Sequence, residues 1–372
     1  MAVSPTGFYF TDAITDKAIG MVEESVLAEQ PFFLYLAHAA PHWPIQAHEE
    51  DIARYDGVYT RGWDAVRTAR HEEMLGRGVL QHPWAISPRD ADAPAWGRSS
   101  HHDWEASRMA VYAAMVDRMD QSIGRVLAAL DRLGQRENTL VMFQSDNGGC
   151  AEFMAEDGWT QFYPDVHNDG RRITMGNRPG LRPGGPLTFM SYDLPWANVS
   201  NAPFRLFKHW VHEGGISTPL IARWPARIPE GTVSHSTGHV IDLLPTILEA
   251  TGTAMRGELA GRTVQTPDGE SLMRLLEGRA WERDQPIHWE HEGNCAIRQG
   301  SLKLVRKFGQ AWELYDMESD RTELHDLAST HPQIRDRMAR DYQDRATQAG
   351  VVAWKDLQPA LLRAWNMENL SG

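Results

Sequence analysis

Three short stretches carry the side chains best suited to chemistry. Ala40-Pro41-His42-Trp43-Pro44 sets an imidazole between two prolines. Proline restrains φ, so the ring can be aimed at one place with little entropy lost on binding. Such an imidazole can bind an oxyanion or pass a proton to a leaving oxygen. Asp146-Asn147-Gly148-Gly149 puts a carboxylate beside an amide oxygen, hard donors suited to calcium or magnesium; Asp-Asn-Gly is also ordinary turn chemistry. Lys208, in Phe204-Arg205-Leu206-Phe207-Lys208 shortly before Glu213-Gly214-Gly215, offers a compact cation able to neutralise a sulfate or phosphate oxygen. Its bland alternative is a solvated surface charge.

Histidines also fall in pairs: His38 with His42, His101 with His102, His209 with His212, and His288 with His291. No pair stands in a His-Glu-x-x-His motif or beside a spaced cysteine pair, so no zinc signature is read. Gly-x-Ser-x-Gly and the Gly-x-x-x-x-Gly-Lys-Ser/Thr phosphate loop do not occur either, which removes the usual marks of serine and nucleotide hydrolases.

The elements that must position these residues read as alternating helix and strand. Apolar residues Ile14, Ala18, Val22 and Val26 recur at helical spacing. Pro31 ends that helix, and the continuously apolar residues 32–37 predict a buried parallel strand. Residues 45–103 read as a surface excursion with a helical patch near 64–75. Met109, Tyr112, Val116, Met119, Ile123, Val126 and Leu130 mark a long amphipathic helix stopped by Gly134. Residues 139–145 form a second buried-type strand that runs into Asp146, so the candidate ligands sit at a strand's carboxyl end, where open α/β sheets place their crevice. Residues 155–203 read as a long surface loop, 217–224 as another strand, and 239–251 as a helix. Beyond Arg283, alternating runs at 287–292, 295–306 and 312–316 predict an antiparallel sheet, closed by a polar helix over 331–348.

The 372 residues carry 37 Lys+Arg against 50 Asp+Glu, a net charge of −13, with 42% hydrophobic residues. That balance excludes a disordered chain, a collagen-like fibre and a coiled coil. It also argues against a nucleic acid partner, since phosphate backbones select basic faces. The apolar run 31–40 is far shorter than the ~20 residues a membrane span needs. The two cysteines, Cys150 and Cys295, are too few for a disulfide framework. The first ten residues lack the basic start and apolar run of a signal peptide. Asn198-Val199-Ser200 and Asn369-Leu370-Ser371 fit the glycosylation triplet.

Taken in order, Pro31-Phe-Phe-Leu-Tyr with Ala-Pro-His42-Trp-Pro, Ser145-Asp-Asn-Gly-Gly149, and Phe204-Arg-Leu-Phe-Lys208 with Glu213-Gly-Gly215 resemble the formylglycine-dependent sulfatases, most closely the arylsulfatases. Gly238-His-Val-Ile-Asp-Leu-Leu-Pro245, Trp289-Glu-His-Glu-Gly293 and Trp312-Glu-Leu-Tyr-Asp316 extend the resemblance over nearly the whole chain. It implies an alkaline-phosphatase-like α/β fold: a mostly parallel sheet with helices on both faces, followed by a small C-terminal antiparallel sheet with one helix. The expected division is a large α/β domain over 1–283, incomplete against the family pattern, and a small domain over 284–372. The resemblance makes Asp146 and Asn147 calcium ligands. His42 becomes a sulfate-contacting residue that helps the leaving oxygen depart, and Lys208 binds the sulfate and supports the leaving group. The substrate would be a small-molecule or carbohydrate sulfate ester. Relatives are usually periplasmic or secreted, while the sequence carries no signal for compartment or oligomeric state.

The chain departs from the family at its nucleophile. The formylglycine of these enzymes is made from the Cys of Cys-x-Pro-Ser-Arg, but Cys150 is followed by Ala-Glu-Phe-Met and Cys295 by Ala-Ile-Arg-Gln. The family's consecutive Asp-Asp calcium ligands are not found either. The chain therefore resembles a sulfatase lacking its N-terminal part, with calcium held weakly or not at all by two oxygen ligands. Two alternatives stand beside sulfate ester hydrolysis: an inactive truncated product or anion-binding pseudoenzyme, and a phosphatase or phosphonate monoester hydrolase of the same superfamily.

Overall fold

The computed structural model describes residues 7–156, 163 and 165–364. Two helices frame its first part, Phe10–Leu27 and His102–Arg132. They run side by side in the same direction, because acidic residues of the first meet arginines of the second in rising order. Arg118 clamps Asp12 through Nε at 2.9 Å and Nη2 at 2.6 Å. Arg125 pairs with Asp16, and Arg132 holds Glu23 at 2.7 Å. Ala18 and Val22 are buried on the first helix, and Val111, Ala114 and Met115 on the second. Gly134 ends the long helix at φ +70°, a conformation that costs glycine little.

Several expectations need correction. Residues 32–37 join no strand among the described residues, and Phe33 and Tyr35 are 76% and 83% exposed. An apolar run has the composition of a buried strand, but a strand also needs a hydrogen-bonding neighbour. The strand Val141–Gln144 pairs antiparallel with Leu220–Arg223, and Ile221 is 60% exposed. This pair is half-covered rather than buried.

The two supposed surface stretches carry much of the core. From 45–103 come the helix Gly62–Gly76 with buried Trp63 and Val66. From 155–203 comes the eight-residue helix Asp193–Ser200, whose Trp196 and Ala197 are fully buried. Trp63, Trp96 and Trp196 meet edge to face with ring centroids 4.6–6.1 Å apart, the arrangement aromatic quadrupoles favour. Asn198 is buried with its Oδ1 facing the Asp90 amide, so its triplet is closed to glycosylation in this fold. Residues 157–162 and 164 of the expected loop, and the triplet at Asn369, lie outside the described residues.

The C-terminal part forms the expected antiparallel sheet, although burial along its two central strands is continuous rather than alternating because both faces are covered. Ile287–His291, Asn294–Gln299, Leu302–Arg306 and Glu313–Asp316 form one antiparallel sheet in simple meander order. The helix Pro332–Gln348 covers it, burying Met338 and Tyr342 against Cys295, Ile297, Leu304 and Leu314. A second helix, Trp354–Ala364, follows, where only one was expected. Among the described residues, no helix is long and apolar enough to cross a membrane.

Candidate active site

His42 is aimed by its flanks. Ala40 and Ile45 are buried against Val111, Ala114 and Met115 of the long helix, and the Ile45 amide donates to Met190 O at 2.9 Å. The intervening loop is thereby pinned at both ends, and its Ala40–Pro41 and Trp43–Pro44 bonds are cis. His42 Nδ1 lies 2.7 Å from the Trp43 carbonyl oxygen. A carbonyl can only accept, so Nδ1 carries the proton and the Nε2 lone pair faces outward. Lys208 Nζ stands 3.1 Å from that Nε2, bringing together residues 166 positions apart.

The loop that carries Lys208 is welded to the turn that carries Asp146 and Asn147. The Lys208 amide donates to Gly149 O at 3.1 Å, and the Gly148 amide donates to Gly215 O at 2.9 Å. Asn201, buried and unforeseen from sequence, joins both segments. Its Oδ1 accepts from the Gly149 amide at 2.7 Å and its Nδ2 donates to Leu206 O at 2.9 Å. The approach of the two loops requires glycine: a Cβ on Gly148 would fall 1.8 Å from Gly214 O.

Asp146 is exposed and Asn147 half-buried at the end of Val141–Gln144. Asn147 Nδ2 donates to Gly148 O at 2.9 Å, and Ser145 Oγ donates to Asn147 O at 3.0 Å. Engaging the amide nitrogen leaves Asn147 Oδ1 available beside the Asp146 carboxylate, which takes no hydrogen bond or ion pair among the described residues. Asp146 and Asn147 are hard oxygen donors of the kind calcium takes, and they would supply two of the six to eight oxygens the ion needs.

A third group, Glu152, was not singled out from sequence. Its Oε2 accepts from Trp43 Nε1 at 2.7 Å and from Cys150 Sγ at 3.2 Å. Partial burial alone would raise its pKa, but those hydrogen bonds, with Lys208 and His42 nearby, outweigh it and hold the carboxyl below its ordinary value. Burial chiefly pushes the Cys150 thiol up to about 11, and the neighbouring Glu152 adds to it. A thiol so protonated is a poor nucleophile at neutral pH. Cys295 is buried in the C-terminal sheet with Arg306 Nε 3.1 Å from its sulfur. Neither cysteine therefore fits the formylglycine role, by sequence context or by surroundings.

The C-terminal sheet supports this site from below. Lys303, without solvent exposure, reaches Glu213 Oε1 and Glu323 Oε1, each at 2.8 Å. The Glu213 amide in turn donates to Glu323 Oε2 at 3.0 Å. Arg205 holds Glu313 at 2.6 Å, with Tyr315 OH also donating to that carboxylate at 2.6 Å. These contacts tie both ends of the Lys208 loop to the sheet.

The chain belongs to the sulfatase family. The Sulfatase profile matches residues 2–253, and a profile described as N-sulphoglucosamine sulphohydrolase, C-terminal, matches residues 204–348. An uncharacterized sulfatase of Schizosaccharomyces pombe is 33% identical over 360 residues, covering 94% of this chain and 63% of the relative. An arylsulfatase of Klebsiella aerogenes is 31% identical over 279 residues, covering 73% of this chain and 57% of the relative. The chain thus spans less than two thirds of either. Among solved structures, Ps i-CgsB superposes with a TM-score of 0.61 at 22% identity over 96% of this chain and 60% of its own. The phosphonate monoester hydrolase of Silicibacter pomeroyi superposes at 0.53 with 19% identity over 91% and 60%. The fold is alkaline-phosphatase-like, α/β with a small antiparallel sheet.

Proposed function

We propose that this chain supplies the sulfuryl-binding half of a calcium-dependent, arylsulfatase-type sulfuric ester hydrolase. The observation that carries the reading is the Lys208–His42 contact, held by Asn201 and the paired glycine turns beside Asp146 and Asn147. Lys208 would grip a sulfuryl oxygen and, as the proton-bearing partner of the pair, stand ready to protonate the leaving oxygen. His42, its tautomer set by the Trp43 carbonyl, would orient that ammonium. Asp146 and Asn147 would hold calcium, which supplies positive charge to a sulfuryl oxygen when bound. Residues 1–283 would form the site-bearing domain and 284–372 the supporting one.

The kinship with an arylsulfatase favours a sulfate over a phosphate ester. The ligands would be small-molecule or carbohydrate sulfate esters; one structural neighbour is described in complex with D-glucosamine-2-N,6-O-disulfate. Within these 372 residues no Cys-x-Pro-Ser-Arg occurs, so anion binding without turnover is the second reading for this chain by itself.

The test is hydrolysis of 4-nitrophenyl sulfate with calcium, by this chain and by a form extended upstream through any encoded Cys-x-Pro-Ser-Arg and co-expressed with a formylglycine-generating enzyme. Turnover in the extended form that falls about 10²–10³-fold in Lys208→Ala supports the assignment. Unchanged kinetics in both Lys208→Ala and His42→Ala would refute it.

A further inference from the structure

Among the described residues, two clusters drawn from His, Cys and carboxylate side chains bring their donor atoms within 4.8 Å of one another: His42 with Cys150 and Glu152, and His209 with His291 and Glu292. Their wiring separates them. In the second, the Phe308 amide donates to Asn294 Oδ1 at 3.1 Å, which turns Asn294 Nδ2 toward His209 Nε2 at 3.2 Å. His209 Nε2 must then accept, which leaves the proton on Nδ1, 3.1 Å from Glu292 Oε2. Every lone pair of that imidazole is committed, and a metal on either nitrogen would have to displace a fitted donor.

The first cluster is wired differently: its imidazole Nε2 meets the flexible ammonium of Lys208, 3.1 Å away, rather than an amide fixed by the backbone. The Trp43 carbonyl fixes the proton on His42 Nδ1, the backbone arrangement that orients metal-ligating histidines through Nε2. Cys150 Sγ and Glu152 Oε2 are already 3.2 Å apart. Around a tetrahedral zinc ion, with bonds of about 2.0–2.3 Å, neighbouring ligand atoms sit roughly 3.3–3.7 Å apart. The thiol and carboxylate therefore stand near that spacing, and His42 needs to close only a short gap. Trp43 Nε1, donating to Glu152 at 2.7 Å, gives the carboxylate its own support.

We propose that His42 Nε2, Cys150 Sγ and Glu152 form a three-donor site for Zn2+, with a fourth position open to solvent or substrate. The sulfur and imidazole select a borderline-soft transition ion over calcium, so this site and the oxygen pair Asp146–Asn147 take different cations. On binding, the Cys150 S–H bond breaks, its proton leaves to solvent, and the sulfur lone pair forms the S–Zn bond. Lys208 Nζ gives up its hydrogen bond to His42 Nε2. Binding stands independently of the function proposed above. Its consequence rests on that reading: an occupied site removes His42 from Lys208, so Zn2+ inhibits turnover.

The experiment is titration of the 372-residue protein with Co2+ as the spectroscopic stand-in for Zn2+. A thiolate-to-cobalt charge-transfer band is expected in the near ultraviolet, saturating at one Co2+ per chain. Zn2+ should remove it stoichiometrically, and Ca2+ at the same concentration should not. Because the chain has only two cysteines, the assignment is clean: Cys295→Ser keeps the band and Cys150→Ser abolishes it. Glu152→Gln, at an exposed position, should retain the fold and weaken Co2+ binding about tenfold or more. No band in the wild type, or a band that survives Cys150→Ser, overturns the proposal. Unchanged affinity in Glu152→Gln overturns the assigned donor set. None of these readouts depends on sulfate ester hydrolysis.

Discussion

Lys303 of the C-terminal sheet donates to Glu213, 2.8 Å away, with both side chains withdrawn from water. Glu213 opens the Gly214-Gly215 turn on which the Gly148 amide rests. The sheet's buried ammonium is thereby linked, through one carboxylate and one pair of glycine turns, to the backbone of the candidate calcium ligands.

Removing that ammonium should leave buried Glu323 without its cation and Glu213 with Arg321 alone. Lys303→Met is expected to cost about 3–5 kcal/mol, read from guanidinium unfolding. A loss below 1 kcal/mol would mean that the carboxylates find other partners.

The same network sets an acid limit. Burial by itself would raise the Glu213 pKa, but Lys303, Arg321 and Arg298 outweigh it and hold the carboxyl well below its ordinary 4.5. A depressed folded-state pKa contributes stability that is present above the unfolded value and lost as pH falls beneath it. The Glu213 contribution to stability should therefore be flat near pH 6 and decline below about pH 4.5. In Lys303→Met that acid decline should shrink. Identical profiles for the two proteins, measured by unfolding from pH 3 to 7, would contradict the assignment.

Asn201 uses an acceptor and a donor on opposite loops. Asn201→Asp keeps the oxygen for the Gly149 amide but faces Leu206 O with a second acceptor, and should lose about 1–3 kcal/mol. Gly148→Ala, forced against Gly214 O, should cost about 1–3 kcal/mol or more. Stability indistinguishable from wild type in both would show that the loops are not clamped as described.

Calcium should raise the Tm of the protein, and Asp146→Ala should remove that rise while leaving the calcium-free Tm within a few degrees, since the side chain is exposed. A calcium shift retained in Asp146→Ala would place the ion elsewhere.

Much of the frame was legible because it rests on periodicity. The helices Phe10–Leu27 and His102–Arg132 repeat apolar residues at helical spacing, and the four C-terminal strands are short apolar runs parted by turns. Residues 32–37 misled because composition reports burial tendency and says nothing about a partner strand. The helix Asp193–Ser200 escaped because eight residues containing Pro195 are too short to show a period. In the site, His42 and Lys208 stood out by local motif, and the structure puts them in contact. Asn201, Glu152 and Lys303 were invisible for a common reason: each has a partner 52 to 109 positions away that gives it its role, and nothing in its own neighbourhood marks it.

The measurement that bears most directly on the central claim is calorimetric titration of inorganic sulfate into this protein and into Lys208→Ala and His42→Ala. Paired recognition by Lys208 and His42 predicts saturable binding at one sulfate per chain, weakened about tenfold or more by losing the charged donor of Lys208. Binding that is absent in the wild type, or as tight in both variants as in the wild type, would contradict it.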